Sequence, residues 1–329
     1  MASLAHIKGS IITIIRRNLT VEIMKLLNAL PGAVSQGVIW GIMAIGVYIT
    51  YRILDVADLT VDGSIATGGA VAAVMIVNGW NAWLAIVAAF VVGMLTGLVT
   101  GIFHTKMGIP AILSGILTQL ALYSINLHIM ANKANMAINA NKYELLVSLR
   151  DVRKFSNENP LALLIVLTVA VIGILYWFFG TEYGCALRAT GANTNMARAQ
   201  GINTNSVKVV GLMLSNGLVA LSGALLAQYQ GFADVSMGRG AIVIGLAAVI
   251  IGEVLFGKVF HNFGTKLAAV SIGAVIYYIV MQVVLWLGLP TNDLKMLTAL
   301  VVAMFLAVPY WKNQIFTARS AKKGEKKNA

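Results

Sequence analysis

A short segment near residue 60 combines acidic and hydroxyl side chains with a glycine, between two long hydrophobic stretches. Carboxylates can bind a cation or an ammonium group, and the free N–H groups at a helix start attract anions. One interpretation is a solvated turn that caps the next helix. The apolar residues interleaved with the acids favour instead a broken helix that lines the path of a small solute. The residues predicted to line this path are Asp58, Thr60, Asp62, Gly63 and Ser64.

Elsewhere the side chains that support catalysis are too scattered to form a site. The single cysteine, Cys185, excludes an internal disulfide and a Cys-rich metal site. Segment 252–259 is similar to a phosphate-binding P-loop, but Val259 stands where Ser or Thr must reach magnesium. The chain has four histidines: His6, His104, His128 and His261. No two of them have the spacing of metal ligands on one helix. We therefore predict that the chain is not an enzyme and holds no metal, cofactor or nucleotide.

The composition excludes a soluble domain. Of the 329 residues, 59% are hydrophobic and 11% are charged, against roughly 25% charged residues in globular proteins. A helix of about 20 apolar residues crosses the hydrocarbon core of a membrane. We predict an all-α, polytopic transmembrane helical bundle of about nine spans, with one short or broken helix after Asp62. The predicted spans lie between residues 25 and 52, 62 and 106 (two spans), 106 and 133, 158 and 182, 208 and 234, 239 and 258, 266 and 293, and 294 and 312.

Basic residues predict the orientation, because cytoplasmic ends of spans are rich in Lys and Arg. The lysines of the tail 313–329 place it in the cytoplasm, and counting spans backwards places loop 181–207 on the same side and residues 131–159 outside. Segment 1–27 is also basic, which conflicts with an odd number of spans. Either it lies on or crosses the membrane as an amphipathic extension, or one span is re-entrant, or the natural chain begins at Met24. The transmembrane domain is predicted to cover 28–312.

Two sets of glycines predict where helices pack closely. Gly93, Gly97 and Gly101 recur at every fourth residue, and Gly37 and Gly41 have the same spacing. Glycines four residues apart give a helix a flat face on which a second backbone can lie. We interpret both sets as packing surfaces without chemistry of their own.

A weak internal similarity relates residues 70–76 to residues 245–251. In the predicted topology the two segments run in opposite directions across the membrane. This arrangement is typical of an inverted repeat, although apolar helices produce such matches by chance as well.

The loop 181–207 has the signals of an ordered helix outside the membrane. Asn193 can cap a short helix over residues 196–200, and Gly201 can end it in the left-handed conformation. Arg188 and Arg198 make the segment basic. An interfacial anchor helix is the alternative interpretation.

Three motifs, in this order along the chain, resemble the permease subunits of ABC importers of the branched-chain amino acid and ribose type. The first is segment 58–64, the second runs from Tyr183 to Asn203, and the third is Gly252-Glu253-x-x-Phe256-Gly257. The third motif and Arg52-Ile53-Leu54-Asp55 resemble a bacterial subgroup that works with lipoprotein-type binding proteins for amino acids, including aromatic ones. The resemblance covers about residues 28–312.

This resemblance implies a type II ABC importer-like fold with an inverted repeat, in the bacterial cytoplasmic membrane. The expected partners are ATP-binding cassette ATPase subunits, an extracytoplasmic substrate-binding lipoprotein, a second permease copy and membrane lipid, with no nucleic acid. Loop 181–207 would couple this chain to the ATPase. The coupling residues that the resemblance implies are Arg188, Gly191, Asn193, Ala197, Arg198, Gly201, Ile202 and Asn203.

The expected function is therefore import of a small solute, an amino acid by subgroup analogy, through alternating access. A second class of protein fits the same helices: an ion-coupled secondary transporter that works without an ATPase and uses Asp58 or Asp62 as its coupling carboxylate. Such a transporter would not need the basic coupling helix. A membrane scaffold or enzyme is disfavoured by the lack of catalytic residues.

Overall fold

The computed structural model describes residues 24, 28–140, 142–152, 160–257, 259–260, 262–286, 296, 298–304 and 307. The predicted extension 1–27 is described only at Met24, and the tail 313–329 lies outside the described residues. The helices are α1 (Asn28–Ile53), α2 (Val61–Val77), α3 (Ala82–Thr105), α4 (Ala111–Ile129), α5 (Leu149–Val152), α6 (Pro160–Gly180), α7 (Glu182–Ala192), α8 (Thr194–Ala199), α9 (Thr204–Gln230), α10 (Ala241–Phe256) and α11 (Phe263–Trp286). Two short strands, β1 (Asn135–Ala137) and β2 (Phe232–Asp234), complete the described elements.

Six of the described helices are long and apolar enough to cross a membrane: α1, α3, α4, α6, α9 and α11. Helices α2 and α10 are also apolar, but with 17 and 16 residues they are shorter than the ~20 residues that a full crossing takes. The last predicted span is described only at 296, 298–304 and 307. The prediction of a polytopic helical membrane protein is confirmed, and the count of nine spans stays a prediction.

Local signals explain most helix boundaries. The predicted break between α2 and α3 is present, with Gly79 at φ +84° and the Asn81 side chain accepting a hydrogen bond from the Trp83 amide at 2.8 Å. Gly231 ends α9 in the left-handed conformation. The predicted short helix after Asp62 is continuous from Val61, so it is short without being broken.

The two predicted glycine faces lie at close contacts between helices. A methyl group added at Gly93 would lie 2.5 Å from the Asn216 carbonyl oxygen of α9, and one at Gly101 would lie 3.0 Å from the Val209 Cα. A methyl group at Gly37 would lie 2.6 Å from the Val275 Cα of α11. The packing role of these glycines is confirmed. Helices α9 and α1 lie at the centre of the bundle, with 78% and 83% of their most apolar stretches buried, against 22% for α6.

The ends of α2, α4 and α9 meet at one end of the bundle. Strand β1, after α4, pairs antiparallel with β2, after α9, with Met136 opposite Ala233. The Tyr143 hydroxyl donates to the Val77 carbonyl at the end of α2, at 3.1 Å. These contacts agree with the expectation that 131–159 and the end of α9 share one side of the membrane.

Helices α2 and α10 meet at their N-terminal ends. After β2 the chain returns along α2, where Met237 lies against Gly69 and the Asp62 carbonyl lies next to Gly238. Helix α10 begins at this level and packs along α11, where Gly273 lies against the Ala248 carbonyl. Two short apolar helices therefore start from a common point, where Asp62 is partly buried and Gly240 is exposed.

We expect the substitution Gly97→Ala to destabilise the protein, because the added methyl group would overlap the Leu212 carbonyl oxygen on α9. Overpacking of this kind costs about 1–3 kcal/mol of unfolding free energy. The measurement is the unfolding temperature of the purified protein in detergent. The matched control is Gly173→Ala on α6, where nothing lies within 4 Å of the added carbon. Equal unfolding temperatures for the two variants would show that the α3–α9 contact is not tightly packed.

Candidate functional site

The Asp58 carboxylate is buried in the bundle, with the residue only 2% exposed. One oxygen accepts a hydrogen bond from the Thr60 amide at 2.9 Å, and the other accepts from the Asn216 side-chain amide at 2.7 Å. Asn216 lies on α9, 158 residues further along the chain. A buried carboxylate is tolerated when its charge is matched by hydrogen bonds. This pair therefore ties the segment between α1 and α2 to the central helix.

A set of buried hydroxyl groups extends this contact across four helices. The Ser64 hydroxyl donates to the Asn216 side-chain oxygen at 2.7 Å and lies 2.8 Å from the Thr96 hydroxyl. The Thr60 hydroxyl lies 2.7 Å from that of Thr100, which donates to Thr118 on α4 at 2.9 Å. We call this set the polar cluster, and its members are Asp58, Thr60, Ser64, Thr96, Thr100, Thr118 and Asn216.

Three of the five predicted path residues, Asp58, Thr60 and Ser64, thus lie together but are enclosed by neighbouring helices. The four partners that sequence reasoning missed are polar residues on otherwise apolar helices. Thr96 and Thr100 are spaced four apart on the face of α3 that also carries its glycines, and this spacing was the available signal. The role of these three residues in transport stays a prediction.

Asp62 lies in the first turn of α2 and is only partly buried. Its two carboxylate oxygens accept hydrogen bonds from the Gly240 amide at 2.9 Å and the Ile242 amide at 3.0 Å. Gly240 has φ +86°, a conformation that favours glycine, and offers α10 no capping side chain. A carboxylate on one helix therefore caps the N-terminus of another, where negative charge is stabilised.

The start of α2 was expected to offer free N–H groups to an anion. In the structure the Gly63 and Ser64 amides both donate to the Thr60 carbonyl, at 2.9 and 2.8 Å. Asp62 and Gly63 instead contribute to the wall of a cavity of about 350 Å³. We call it the α2–α4 cavity, and its lining residues are Asp62, Gly63, Gln119, Leu120, Tyr123, Asn126, Val235 and Arg239.

The short helix predicted in loop 181–207 is present as α8, and its coupling role stays a prediction. The Asn193 side chain accepts a hydrogen bond from the Met196 amide at 3.0 Å, and Gly201 follows with φ +80°. Both local predictions are confirmed. Asn203 caps the next helix, α9, by accepting from the Ser206 amide at 3.2 Å.

Several predicted coupling residues hold this segment against the bundle. A methyl group at Gly191 would overlap the Ile53 carbonyl of α1, and Ala197 is fully buried. The Arg188 guanidinium donates to the Phe179 carbonyl at 3.1 Å. The exposed surface of this segment includes the predicted residues Asn193, Arg198 and Gly201. It also includes residues that were not predicted from the sequence to act in coupling: Asn195, Met196, Ala199 and Gln200.

Two of the predicted residues lie at the join between α8 and α9. The Arg198 side chain donates to the Thr204 hydroxyl at 2.9 Å, and Ile202 is partly buried. Arg198 is otherwise exposed, and its hydrogen bond holds the end of α8 to the start of α9.

The end of α1 contacts both the coupling segment and α10. Its last residues, Ile49–Ile53, form a π-helix, a rare distortion frequent at functional sites. Arg52 in this turn forms a salt bridge of 2.9 Å with Glu253 on α10. Gly191 packs against the neighbouring Ile53. The end of α1 therefore connects α7 to the C-terminal part of α10.

Within the described part of the chain, no three His, Cys, Asp or Glu side chains are grouped so that they could hold a metal ion.

Comparison with known proteins identifies this architecture. Residues 30–309 match the family described as branched-chain amino acid transport system / permease component. The tyrosine transport system permease protein of Clostridioides difficile (strain R20291) is 40% identical over 282 residues, which are 85% of this chain and 91% of that protein. The ribose import permease protein RbsC of Escherichia coli (strain K12) is 24% identical over 249 residues, 75% of this chain and 76% of that protein.

A solved structure of an ABC transporter in an inward-facing conformation has the same fold, with a TM-score of 0.51 at 16% identity, covering 86% of this chain and 85% of that one. The family match extends over nearly the whole predicted transmembrane domain. The chain belongs to the permease family of ABC importers of the branched-chain amino acid and ribose type, whose members are multi-pass membrane subunits and not enzymes.

Proposed function

We propose that this chain imports an amino acid across the cytoplasmic membrane by alternating access, with ATP hydrolysed by separate subunits. The observation that carries the proposal is the meeting of α2 and α10. Both are short apolar helices, and their N-terminal ends are joined by Asp62 beside the α2–α4 cavity. Short helices that start inside a membrane domain are how many transporters build a substrate site.

An amino acid is the substrate class best supported. The 40% identical relative is named for tyrosine, and the ribose permease is more distant at 24%. The α2–α4 cavity carries an acid and a base among apolar walls, which suits a zwitterion with an uncharged aliphatic or aromatic side chain. A sugar would need more neutral hydrogen-bonding groups and fewer charges.

The same helices support an inverted repeat. The similar segments 70–76 and 245–251 lie in α2 and α10, the two short apolar helices. Their shared starting point suits two half-membrane helices that run in opposite directions. In this topology the tail 313–329 and loop 181–207 are cytoplasmic, 131–159 faces outside, and the chain has nine spans.

The importer is proposed to contain two permease copies, two ATPase subunits at the outer surface of α8, and a binding lipoprotein on the opposite face. The exposed apolar side chains of α6, which include Val166, Val169 and Trp177, suit contact with lipid. Movement of the ATPases would displace α7 and α8, and the end of α1 would transmit this displacement to α10 through Arg52 and Glu253.

An ion-coupled secondary transporter is the weaker candidate. Both oxygens of Asp58 are engaged inside the polar cluster, and both oxygens of Asp62 cap α10. Cyclic binding of an ion at the enclosed Asp58 would break contacts that hold the helices together, and the chain belongs to a family of ABC importer permeases. Uptake by the purified chain alone, driven by an ion gradient without an ATPase, would support this candidate over ours.

We expect Arg198→Glu to uncouple ATP turnover from uptake, because it reverses an exposed charge on the proposed ATPase-binding surface. Loss of a buried, hydrogen-bonded charge pair at an interface costs about 2–5 kcal/mol of binding free energy. The measurement is the ratio of substrate imported to ATP hydrolysed by the reconstituted complex.

Two controls separate this effect from others. Lys106→Glu makes the same charge reversal in the exposed turn after α3 and is expected to leave the ratio unchanged. Thr204→Val removes the internal partner of Arg198 without changing charge. If Thr204→Val uncouples as strongly as Arg198→Glu, the arginine acts through the α8–α9 join and its proposed contact with the ATPase is wrong.

We expect Asp62→Asn to reduce uptake at least about tenfold, the effect of losing ~1.4 kcal/mol of interaction with the solute in transit. The substitution keeps the size of the side chain and removes its charge at the α2–α4 cavity. Uptake and ATP hydrolysis are measured together in the reconstituted complex, after assembly has been verified.

The matched control is Asp55→Asn. It removes the same charge from the same segment at an exposed residue with φ +54°, a conformation that asparagine adopts readily. If an assembled Asp62→Asn complex shows unchanged uptake and substrate preference, the acidic residues near position 60 have only a structural role in the turn, and the proposed contact with the solute is wrong.

A further inference from the structure

The α2–α4 cavity contains a buried amide without a partner. Asn126 on α4 is 1% exposed, and neither its side-chain nitrogen nor its side-chain oxygen has a hydrogen-bond partner among the described residues. Within that part of the chain it is the one buried Asn or Gln with both side-chain atoms unpartnered, since Gln228 lacks a partner only at its nitrogen. Buried polar groups are nearly always satisfied, so this exception calls for a partner that comes from elsewhere.

The charges at this cavity are of both signs. Asp62 supplies a carboxylate whose oxygens retain accepting capacity beyond the two α10 amides. Arg239 supplies a guanidinium that is exposed and forms no salt bridge with any described residue. A free amino acid carries the complementary pair, an ammonium and a carboxylate.

The remaining walls and the size of the cavity agree with such a ligand. Leu120, Tyr123 and Val235 are apolar or aromatic. The volume is about 350 Å³, at the lower end of the ~300–1,000 Å³ of small-molecule sites. A single amino acid with an aromatic or aliphatic side chain matches this volume better than a peptide.

We infer that the α2–α4 cavity binds the transported amino acid inside the membrane domain, with Asn126 hydrogen-bonded to its polar end, Arg239 paired with its carboxylate and Asp62 with its ammonium. This inference rests on the proposed function and adds the binding site. It also gives the buried Asn126 amide a hydrogen-bond partner, because the amide is satisfied when the solute is bound.

The test uses the complex of permease and ATPase in lipid nanodiscs without the binding protein, so that binding to the membrane domain is measured directly. The probe is tritiated L-tyrosine at equilibrium. Asn126→Leu is expected to weaken binding at least about tenfold and to leave the unfolding temperature unchanged or raised, because it removes an unpartnered buried amide. The control is Ser124→Ala, an exposed residue two positions away on α4 that does not line the cavity, for which binding should be unchanged.

Two analogues test the charge assignment. Tyramine lacks the carboxylate and 3-(4-hydroxyphenyl)propanoate lacks the ammonium, and the wild-type complex should bind both more weakly than tyrosine. Arg239→Gln should bind tyrosine no more tightly than tyramine but should still prefer tyrosine over the propanoate. Asp62→Asn should show the reverse: no preference for tyrosine over the propanoate, and an unchanged preference for tyrosine over tyramine. If both variants change the two preferences equally, the charge assignment is overturned.

Other outcomes overturn the site itself. Absence of tyrosine binding by the wild type, or unchanged binding by Asn126→Leu, would show that the cavity does not hold the solute. Loss of binding together with a lower unfolding temperature would show that Asn126 is satisfied by a second permease copy or by water and acts structurally. ATP-driven amino acid uptake by the full complex with its binding protein is measured separately, and its absence would contradict the proposed function instead.

Discussion

The hydrogen bond between the Asp58 carboxylate and the Asn216 side-chain amide holds a non-helical segment, residues 54–60, in place between the helices of a membrane protein. Backbone and charged groups within a membrane domain must find partners in the protein, since lipid offers none. Residues 54–60 connect α1 to α2 without forming an α-helix. Within this segment the Asp58 carboxylate accepts hydrogen bonds from the Thr60 amide and from the Asn216 side chain. The hydroxyl groups of α3 and α4 extend the contact. The position of α2, and so of the cavity beside it, depends on this arrangement.

The bundle joins its parts in two different ways. Helices α2, α3 and α9 meet through glycines at distances that admit no side chain, which makes a rigid unit. Helix α10 packs along α1, where Gly245 lies next to Val47, and its two ends are held by charged groups: Asp62 at the start and the Arg52–Glu253 salt bridge near the other end. Both end contacts are partly exposed and involve charged groups. Replacing them by contacts with water or solute therefore costs less free energy than separating the helices at the glycine contacts. This difference suits a domain that must change conformation without unfolding.

The candidate site combines a structural and a binding role in one residue. Asp62 caps α10 and also faces the α2–α4 cavity. A solute that interacts with this carboxylate would therefore affect the joint between the two short helices. Binding and helix movement would then be linked through a single charged group.

The sequence by itself determined the membrane class, most of the helices, the turn at residues 78–81, the glycine contact faces and the capped helix α8. These features depend on hydrophobic runs, on spacing along one helix and on cap residues next to the helix they end, all of which are local. It also singled out Asp58, Asp62 and Ser64 as unusual. Only the tertiary structure decided what each one does: Asp58 and Ser64 bind Asn216, whereas Asp62 binds amides 178 and 180 positions away. Asn126 and Arg239 became candidates only when α4 and the segment before α10 were seen to share a cavity. Contacts between helices distant in the chain depend on how the helices pack, and no local pattern encodes the partner.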